Sequence, residues 1–400
     1  MKPICLINPV SSFLLDERVF MSLGILKVAA VMESRGYPVE FLDLSGISNY
    51  EEAMNSYLST SGCTIFGLTA TTPQLPSAAK ILGAIRDHNP RAKVIIGGPH
   101  ATMINAAYKR EQSLGIDGRA AKSFRQLTEL FVVVVSGDGE DAIFKAIEPL
   151  SPKVVDADDP ASSLWLTNER FTELPFPARH LVDVDSYQYS IDGERALSLI
   201  AQLGCPFNCG FCGGRESAAF RRIRIRSSEN VIQEIVHLYK EYGVKGFMMY
   251  DDELNVNPNM VELMNLISSA QEDLGADFRL RGFMKSQLLT DEQAEAMYRA
   301  VFRWILVGFE SGSPRILKNI NKRATREENT RCMEIAGRHG LKVKALMSVG
   351  HPGESEETIR ATHDWLLEAA PDKFDISIIT TYPGSLYFDH TVPHETEEST

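Results

Sequence analysis

The chain has 400 residues, of which 44% are hydrophobic and 24% charged, a composition that indicates a globular protein with room for two ordinary domains. Its formal net charge of -12 at pH 7 argues against a general nucleic-acid-binding protein, which usually shows a basic surface. No apolar run approaches the roughly 18 residues that span a bilayer, and no signal peptide is evident after Met1, so we expect a cytoplasmic protein without membrane contact.

The first 150 residues alternate short apolar runs with amphipathic stretches. This pattern predicts strands at 4–8, 39–43, 64–69, 94–97 and 131–136, with helices at 23–35, 50–58, 76–88 and from the end of the fifth strand through 147. Strands that are nearly all apolar and alternate with helices form a parallel sheet covered on both faces. We therefore predict an α/β fold that begins with a doubly wound, Rossmann-like domain over residues 1–150. Residues 110–130 are expected to be a connector, and the proline-punctuated residues 151–194 an interdomain linker.

Small residues follow three of these predicted strands. They are Thr69, Thr71, Thr72, Gly97, Gly98, Gly137 and Gly139, the last of which precedes Glu140. Ligands of doubly wound sheets bind at the carboxyl ends of the strands, where small residues let a ligand approach the backbone. The pattern predicts a ligand groove, although each segment alone is also typical of an ordinary tight turn. No phosphate-loop lysine motif is present, and the Gly137-Asp138-Gly139 run is too short for a dinucleotide fingerprint.

A second series of alternating elements begins near residue 195. Strands are predicted at 197–203, 246–250, 278–281, 304–309, 342–349 and 375–380, and helices at 230–241, 259–274, 291–300, 326–339 and 356–369. Six such units predict a partial (β/α)6 barrel over residues 195–389, with its functional residues at the carboxyl ends of the strands. The acidic, polar residues 390–400 are expected to be disordered or to begin a further region of the protein.

Three of the six cysteines are clustered directly after the first strand of this second series. Cys205, Cys209 and Cys212 lie in the run Cys-Pro-Phe-Asn-Cys-Gly-Phe-Cys. Three thiolates at this spacing can bind three irons of a cubane 4Fe–4S cluster, which leaves the fourth iron open as a catalytic metal site requires. A zinc site is the alternative, but it would need a fourth ligand, and His180 and His237 form no recognisable ligand pair with the cysteines.

The remaining cysteines are scattered. Cys5, Cys63 and Cys332 are predicted to pack as small hydrophobic residues rather than to bind metal. Met248 and Met249 lie on a predicted buried strand and are expected in the core. No residue is singled out as a catalytic acid or base.

The second domain as a whole resembles the radical S-adenosylmethionine (SAM) superfamily, through the cysteine spacing with Phe211 before the last cysteine and through four later segments in order. These segments are Tyr250-Asp251-Asp252-Glu253, Gly308-Phe309-Glu310-Ser311-Gly312-Ser313, Ser348-Val349-Gly350-His351-Pro352-Gly353-Glu354 and Tyr382-Pro383-Gly384-Ser385. The resemblance implies a 4Fe–4S cluster on the three cysteines. It also implies that the first segment receives the SAM amino group, that Glu310 and Ser311 contact the SAM ribose and carboxylate, and that Gly350, His351 and Pro352 lie on the adenine side. Arg226 or Arg281 would be candidates to pair with the SAM carboxylate.

The first domain resembles the cobalamin-binding domain that precedes the barrel in one subgroup, the class B radical SAM methyltransferases. The shared features are Ser22-Leu23-Gly24-Ile25-Leu26, the runs at 69–72, 97–100 and 137–140, and Leu174-Pro175-Phe176-Pro177-Ala178-Arg179. The resemblance implies that cobalamin binds at the small residues of the strand ends, with its cobalt facing the cluster and the substrate between them. The chain lacks the Asp-x-His-x-x-Gly run that supplies a histidine to cobalt in other cobalamin proteins, and we do not assign His100 to cobalt.

This resemblance implies a reaction: reductive cleavage of SAM to a 5′-deoxyadenosyl radical and cobalamin-dependent methylation of an unactivated carbon or phosphorus centre in a small molecule. The electron donor would be a protein such as flavodoxin or ferredoxin. An oxidative cyclase or rearrangement enzyme with the same domain pair remains an alternative. A methylthiotransferase would usually carry a second cluster on an N-terminal cysteine triad, for which only Cys5 and Cys63 are available. A non-enzymatic cobalamin-binding or metal-binding module is the last alternative.

Substitution of one clustered cysteine tests the metal assignment. Cys209→Ala should abolish the 4Fe–4S absorbance and the reductive cleavage of SAM, because only two thiolates remain for the cluster. The first domain should stay folded, which circular dichroism checks. A variant that retains the full cluster would refute the assignment.

Overall fold

The computed structural model describes residues 2–11, 13–14 and 16–388, so the predicted tail at 390–400 lies outside the described residues. Its strands are β1 (Ile4–Asn8), β2 (Val39–Asp43), β3 (Ile65–Thr69), β4 (Lys93–Gly97), β5 (Val133–Gly137), β6 (Val154–Ala157), β7 (Ser190–Ile191), β8 (Glu194–Leu199), β9 (Gln202–Leu203), β10 (Arg224–Ile225), β11 (Gly246–Met249), β12 (Arg279–Met284), β13 (Phe302–Glu310), β14 (Lys342–Val349) and β15 (Lys373–Ile378).

Helices occupy most of the connections between these strands. They are α1 (Leu23–Ser34), α2 (Tyr50–Thr60), α3 (Leu75–His88), α4 (Pro99–Ser113), α5 (Arg119–Leu130), α6 (Gly139–Ile147), α7 (Asn168–Glu173), α8 (Ala218–Arg221), α9 (Ser228–Tyr242), α10 (Met260–Leu274), α11 (Asp291–Arg299), α12 (Pro314–Asn319), α13 (Arg326–Arg338) and α14 (Glu356–Ala369). Within the described ranges, no helix is both long enough and apolar enough to cross a membrane.

The chain divides into two compact units. The first comprises Met1–Gln188 with Glu216–Ala219, and the second comprises Tyr189–Arg215 with Phe220–Thr400. The first unit contains a six-stranded parallel sheet with the order β2-β1-β3-β4-β5-β6. Residues of β1 point alternately into two hydrophobic cores, with Cys5 and Ile7 in one and Ile4 and Leu6 in the other. This division confirms the predicted doubly wound sheet, because both of its faces are covered.

The structure differs from the sequence prediction in two parts of the first unit. The predicted linker at 151–194 contains β6, which pairs in parallel with β5, and the predicted connector at 110–130 is largely helical. The carboxylate of Glu111 accepts hydrogen bonds from the backbone N–H groups of Gly118, Ala120 and Ala121 at 2.7–3.1 Å and so caps α5. This cap comes from the preceding helix, so no local N-cap signal marks the start of α5 in the sequence.

The second unit contains a seven-stranded sheet with the order β15-β14-β13-β12-β11-β8-β7. The six strands from β8 to β15 in this order are parallel, as the predicted partial barrel requires, and β7 adds an antiparallel strand at the edge. The cysteines outside the cluster are buried, and Met248 and Met249 are 1% and 0% exposed, as expected for core residues.

Adjacent residues of β6 test whether this segment belongs to the sheet. Val155 is buried and Val154 only partly buried, so Val155→Asp should lower the free energy of unfolding by about 3 kcal/mol through an unpaired buried charge. The matched Val154→Asp substitution should lower it by about 1 kcal/mol or less. Urea unfolding followed by circular dichroism gives both values. Equal, small effects would show that the segment is a linker.

Candidate functional site

The cysteine run forms a loop that is closed at its base by backbone pairing. Strands β9 and β10 pair antiparallel on either side of it, and Cys205 N donates to Phe220 O at 2.9 Å. Gly204 enters the loop with φ +87°, and a Cβ there would collide with the Arg222 carbonyl oxygen. The loop therefore requires glycine immediately before the first cysteine.

Backbone bonds from two distant segments hold the middle of the loop. Gly210 N donates to Ile320 O at 2.8 Å, and Leu386 N donates to Gly210 O at 2.9 Å. The Asn321 amide donates to Asn208 O at 2.7 Å. The turn that begins at Tyr382 thus serves to bring Leu386 back onto the cysteine loop. The second and third cysteines lie on backbone that is fixed by these contacts.

All three cysteines of the loop are free thiols. Cys209 is buried, Cys205 is partly buried and Cys212 is exposed. Among the described residues, no group of three or more His, Cys, Asp or Glu side chains converges on a point that could hold a single metal ion. A cubane cluster does not need such convergence, because each thiolate binds a different iron. The donor set of three free thiols fits three irons of a cubane cluster.

The acidic run after β11 has two separate roles. Asp251 is buried, and its Oδ1 accepts hydrogen bonds from the backbone N–H groups of Ala201, at 2.9 Å, and of Gln202. Asp252 Oδ2 accepts from Gly204 N at 2.9 Å. Both aspartates therefore hold the backbone that leads from β8 into the cysteine loop, and their contact with the SAM amino group stays a prediction.

Glu253 is the member of this run that has no such anchoring contact. Its Oε2 atom is buried and has no hydrogen-bond partner among the described residues. Burial raises the pKa of this carboxyl to about 7, and the ammonium groups of Lys322 and Lys285 act in the opposite direction. A buried carboxylate oxygen without a donor fits the site of a ligand ammonium group such as that of SAM.

Glu310 lies at the end of β13 and organises a second polar cluster. Its Oε1 pairs with Lys322 Nζ at 3.0 Å, and its Oε2 accepts from Ser348 Oγ at 2.7 Å. Ser348 Oγ also lies 2.7 Å from His351 Nε2, and His351 Nδ1 lies 3.3 Å from the Tyr387 hydroxyl. Burial opposes ionisation of Glu310, but Lys322 and Ser348 hold its pKa below its ordinary value. Two of the predicted SAM-binding segments thus meet in one hydrogen-bonded network.

Two buried lysines that the sequence analysis missed lie against the cysteine loop. Lys322 Nζ is 5.9 Å from the centre of the Phe211 ring, and Lys285 Nζ is 4.5 Å from that of Phe207. A Cβ at Gly308 would lie 2.8 Å from Glu310 Oε1 and 3.1 Å from Lys322 Nζ, so the glycine makes room for their ion pair. The sequence feature that relates to this ion pair is Gly308, two residues before Glu310.

The other predicted SAM contacts have structural partners. Ser311 is buried, and its Oγ lies 2.9 Å from Thr362 Oγ1 on α14. Gly350 N donates to Glu354 Oε2 at 2.6 Å, and Pro352 O accepts from the Asn319 amide at 3.1 Å. Tyr250, by contrast, is 43% exposed at the end of β11. Whether any of these residues contacts SAM stays a prediction.

The two arginines considered for the SAM carboxylate already have protein partners. Arg226 is buried and pairs with Glu234 at 2.5 Å, and it also donates to Ile200 O at 2.7 Å. Arg281 Nη1 donates to the Tyr189 hydroxyl at 3.1 Å. Neither guanidinium therefore stands out as a carboxylate partner.

In the first unit, the sheet reverses its strand order between β1 and β3. A single side chain bridges the two loops at this point, because Gln74 Nε2 donates to Asn8 Oδ1 at 3.3 Å and to Pro9 O at 2.7 Å. Gln74 Oε1 also accepts from Thr71 N at 2.9 Å. The crevice at such a switch point is the usual ligand site of an open α/β sheet. Thr71 was a predicted ligand contact, whereas nothing in the sequence marked Gln74 as the bridging residue.

Two of the strand-end glycines, Gly98 and Gly137, are required by the local backbone conformation. Gly98 has φ +89°, and a Cβ there would collide with Thr69 Oγ1. Gly137 has φ +85°, and its Cβ would lie 2.5 Å from Asp158 N. These contacts favour the tight-turn interpretation for both glycines. Binding of a ligand at Thr69, Gly97, Gly98, Gly137, Gly139 and Glu140 stays a prediction.

His100 is buried beside the same loops. Its Nδ1 lies 3.1 Å from the Thr72 hydroxyl, and its backbone N donates to Ala70 O at 2.9 Å. Burial lowers the pKa of the imidazole to about 4, so the ring is neutral at pH 7. The ring therefore links two strand-end loops.

The loop after β1 presents apolar side chains at the same edge of the sheet. Phe13 is 68% exposed and Leu14 is 56% exposed. They follow the carboxyl end of β1, one of the two strands that flank the switch point. Exposed apolar side chains next to polar strand ends fit a large, partly apolar ligand such as cobalamin.

Comparison with known proteins matches each unit to a family. Residues 199–366 match the radical SAM superfamily, and residues 17–128 match the B12-binding domain. An uncharacterized methyltransferase of Pyrococcus horikoshii is 28% identical over 334 residues, which cover 82% of this chain and 69% of the relative. An anaerobic magnesium-protoporphyrin IX monomethyl ester cyclase of Rubrivivax gelatinosus is 24% identical, over 90% of this chain and 64% of the cyclase.

One solved structure has a similar fold. It is that of the radical SAM methyltransferase TsrM from Kitasatospora setae with cobalamin and a 4Fe–4S cluster bound. The TM-score is 0.73 at 18% identity, over 96% of this chain and 76% of TsrM. Together with the two family matches, this similarity confirms the predicted fold.

The buried Asp251 predicts a pH dependence of stability. Burial raises its pKa to about 7, so the folded chain keeps a proton that the unfolded chain releases, and stability falls as the pH rises from about 4 to 7. Asp251→Asn keeps an acceptor oxygen but cannot ionise. Its free energy of unfolding should therefore fall by about 2 kcal/mol less than that of wild type between pH 5 and pH 8. Urea unfolding of the cluster-free chain measures both. The exposed Glu262→Gln variant is the control, and parallel pH profiles for wild type and Asp251→Asn would contradict the assignment.

Proposed function

We propose that this chain is a radical SAM enzyme with a B12-binding domain, and that it transfers a methyl group to an unactivated carbon or phosphorus centre of a small molecule. The methyltransferase name of one relative and the methyltransferase fold neighbour support methyl transfer. The observation that carries the proposal is the buried, unpartnered Oε2 atom of Glu253 in the same domain as the free cysteines of the loop.

Residues of the second unit would prepare the cluster and SAM. Cys205, Cys209 and Cys212 would bind three irons on a loop that β9, β10 and Leu386 hold in place. Glu253 would accept hydrogen bonds from the SAM ammonium group, which supplies the donors that its Oε2 lacks. Glu310, fixed by Lys322 and Ser348, would present its carboxylate to the ribose hydroxyls.

Residues of the first unit would bind cobalamin at the switch point between β1 and β3. Gln74 links the two loops of this crevice, and Phe13 and Leu14 would offer apolar surface to the corrin ring. The cluster would supply the electron that cleaves SAM, and cobalamin would supply the methyl group. We further propose that the electron reaches the enzyme from a small redox protein such as flavodoxin or ferredoxin.

An oxidative cyclase is the second candidate function. It is supported by the cyclase of Rubrivivax gelatinosus, which is similar over both units of this chain. The two reactions differ in one measurable respect, because only a cobalamin-dependent methylase passes the SAM methyl group through the corrinoid. A methylthiotransferase is less well supported, since Cys5 and Cys63 of the first unit are core residues.

The experiment is to reconstitute the protein anaerobically, expose it to hydroxocobalamin, desalt it and count iron, sulfide and cobalamin. We expect about four irons and about one cobalamin per chain, and transfer of label from methyl-labelled SAM to the retained corrinoid. Four irons without cobalamin would contradict methyl transfer and favour the cyclase or another radical reaction. A protein that retains neither the iron–sulfur cluster nor cobalamin would contradict both candidate functions.

A matched pair of variants places the cobalamin site. Phe13→Ser should weaken cobalamin retention by about tenfold, because a large apolar contact of about 1.4 kcal/mol is removed. Leu150→Ser should leave retention unchanged, because this residue is 95% exposed but follows α6 at the opposite edge of the sheet. Equal retention by the two variants would contradict the placement, and the iron content should be unaffected in both.

A further inference from the structure

One buried ammonium group next to the cysteine loop forms no ion pair with any residue that the structure describes. Lys285 is 1% exposed. Among the described residues, its Nζ donates only to Lys322 O, at 3.1 Å, and forms no ion pair with a carboxylate. Its other close neighbour is the face of the Phe207 ring, 4.5 Å away. Glu253 acts on it only through space.

The neighbouring Lys322, by contrast, has a carboxylate partner. It is 4% exposed, and its Nζ lies 3.0 Å from Glu310 Oε1. The two charges of this ion pair cancel, so the pair adds little electric field at the cysteine loop. Of the two lysines, Lys285 therefore contributes the positive charge that no direct ion pair compensates among the described residues.

A buried ammonium without an anion is destabilising by several kcal/mol, and buried charges in proteins are normally paired or lie beside a charged cofactor. Phe207 stands between Cys205 and Cys209, so the ammonium lies at the part of the loop that carries two of the three thiols. The missing anion would be the cluster with its thiolates. An oxidised 4Fe–4S core held by three thiolates is negative overall, and one added electron makes it more negative.

We propose that Lys285 is the buried counter-charge of the iron–sulfur cluster and that it raises the cluster's reduction potential. This inference rests on the proposed function, because it requires the cluster on Cys205, Cys209 and Cys212. The added electron increases the negative charge of the cluster, and a fixed positive charge in a medium of low dielectric constant stabilises the reduced form more than the oxidised form. Lys285 thus acts on the cluster through its positive charge and takes no part in the reaction itself.

The test is a redox titration of the reconstituted holoprotein at pH 7 without SAM, with titanium(III) citrate as the one-electron donor and the reduced cluster followed by electron paramagnetic resonance. Lys285→Met removes the charge and keeps a side chain of similar length. We expect the ratio of reduced to oxidised cluster at a fixed potential to fall at least tenfold, which corresponds to 59 mV for one electron. Lys285→Arg, which keeps the charge, should restore most of the wild-type potential.

The exposed Lys318→Met on α12 is the matched control, because solvent screens its charge. It should change the ratio less than twofold. A Lys285→Met cluster with full iron content and an unchanged potential would overturn the inference. Weakened SAM binding with an unchanged potential would overturn it too, and would assign Lys285 to the SAM carboxylate instead. A wild-type protein that loads no cluster would refute the proposed function itself.

A second measurement decides the matter if Lys285→Met fails to load the cluster. In the cluster-free chain the ammonium has no anion, so its removal should raise the free energy of unfolding above that of wild type in urea unfolding. Lys318→Met should leave this value within error of wild type. A cluster-free Lys285→Met chain that is less stable than wild type would show that the ammonium is already satisfied, and would overturn the inference.

Discussion

The burial of charge around the cysteine loop is the constraint on which the second unit depends. Glu253, Lys285 and Lys322 lie in three different connections and Glu310 ends β13, and the four side chains are brought together against this loop. Only Lys322 and Glu310 satisfy each other in an ion pair. Within the described part of the chain, the buried Oε2 of Glu253 and the buried ammonium of Lys285 have no direct ionic partner, and such groups are rare in sites that bind nothing. In the proposed site, the iron–sulfur cluster and SAM would supply the missing partners.

The backbone around these charges is held by contacts that leave few alternatives. Asp251 and Asp252 fix the approach to the loop, while Ile320 and Leu386 fix its middle. Gly204 permits the turn into the loop because any side chain there would meet the returning strand. Within the acidic run after β11, Asp251 and Asp252 each use one carboxylate oxygen to hold the backbone, whereas Glu253 makes no such contact. In the proposed site, Glu253 would therefore be the member of the run that receives the ligand.

The fold was predictable from the sequence where one element carries its own signal. Strands β1, β2 and β14 and helix α14 have the bounds that their apolar periodicity predicted, and the cysteine spacing located the loop directly. Prediction failed where an element or a side chain depends on residues that are distant in the sequence. Helix α5 is capped by a carboxylate from α4, β6 has only two buried apolar side chains, and Lys285 lies more than 70 residues beyond the cysteines that it faces. Such partners become visible only when the chain has folded.

In the proposed site, the cluster on this loop keeps an open iron that binds SAM, and Glu253 receives the SAM ammonium group. The electron paramagnetic resonance spectrum of the reduced cluster, with and without SAM, tests this in wild type and in Glu253→Gln. We expect SAM to change the wild-type spectrum, and the same SAM concentration to leave the Glu253→Gln spectrum unchanged although its cluster is intact. A wild-type spectrum that is insensitive to saturating SAM would show that the cluster has no open iron for SAM.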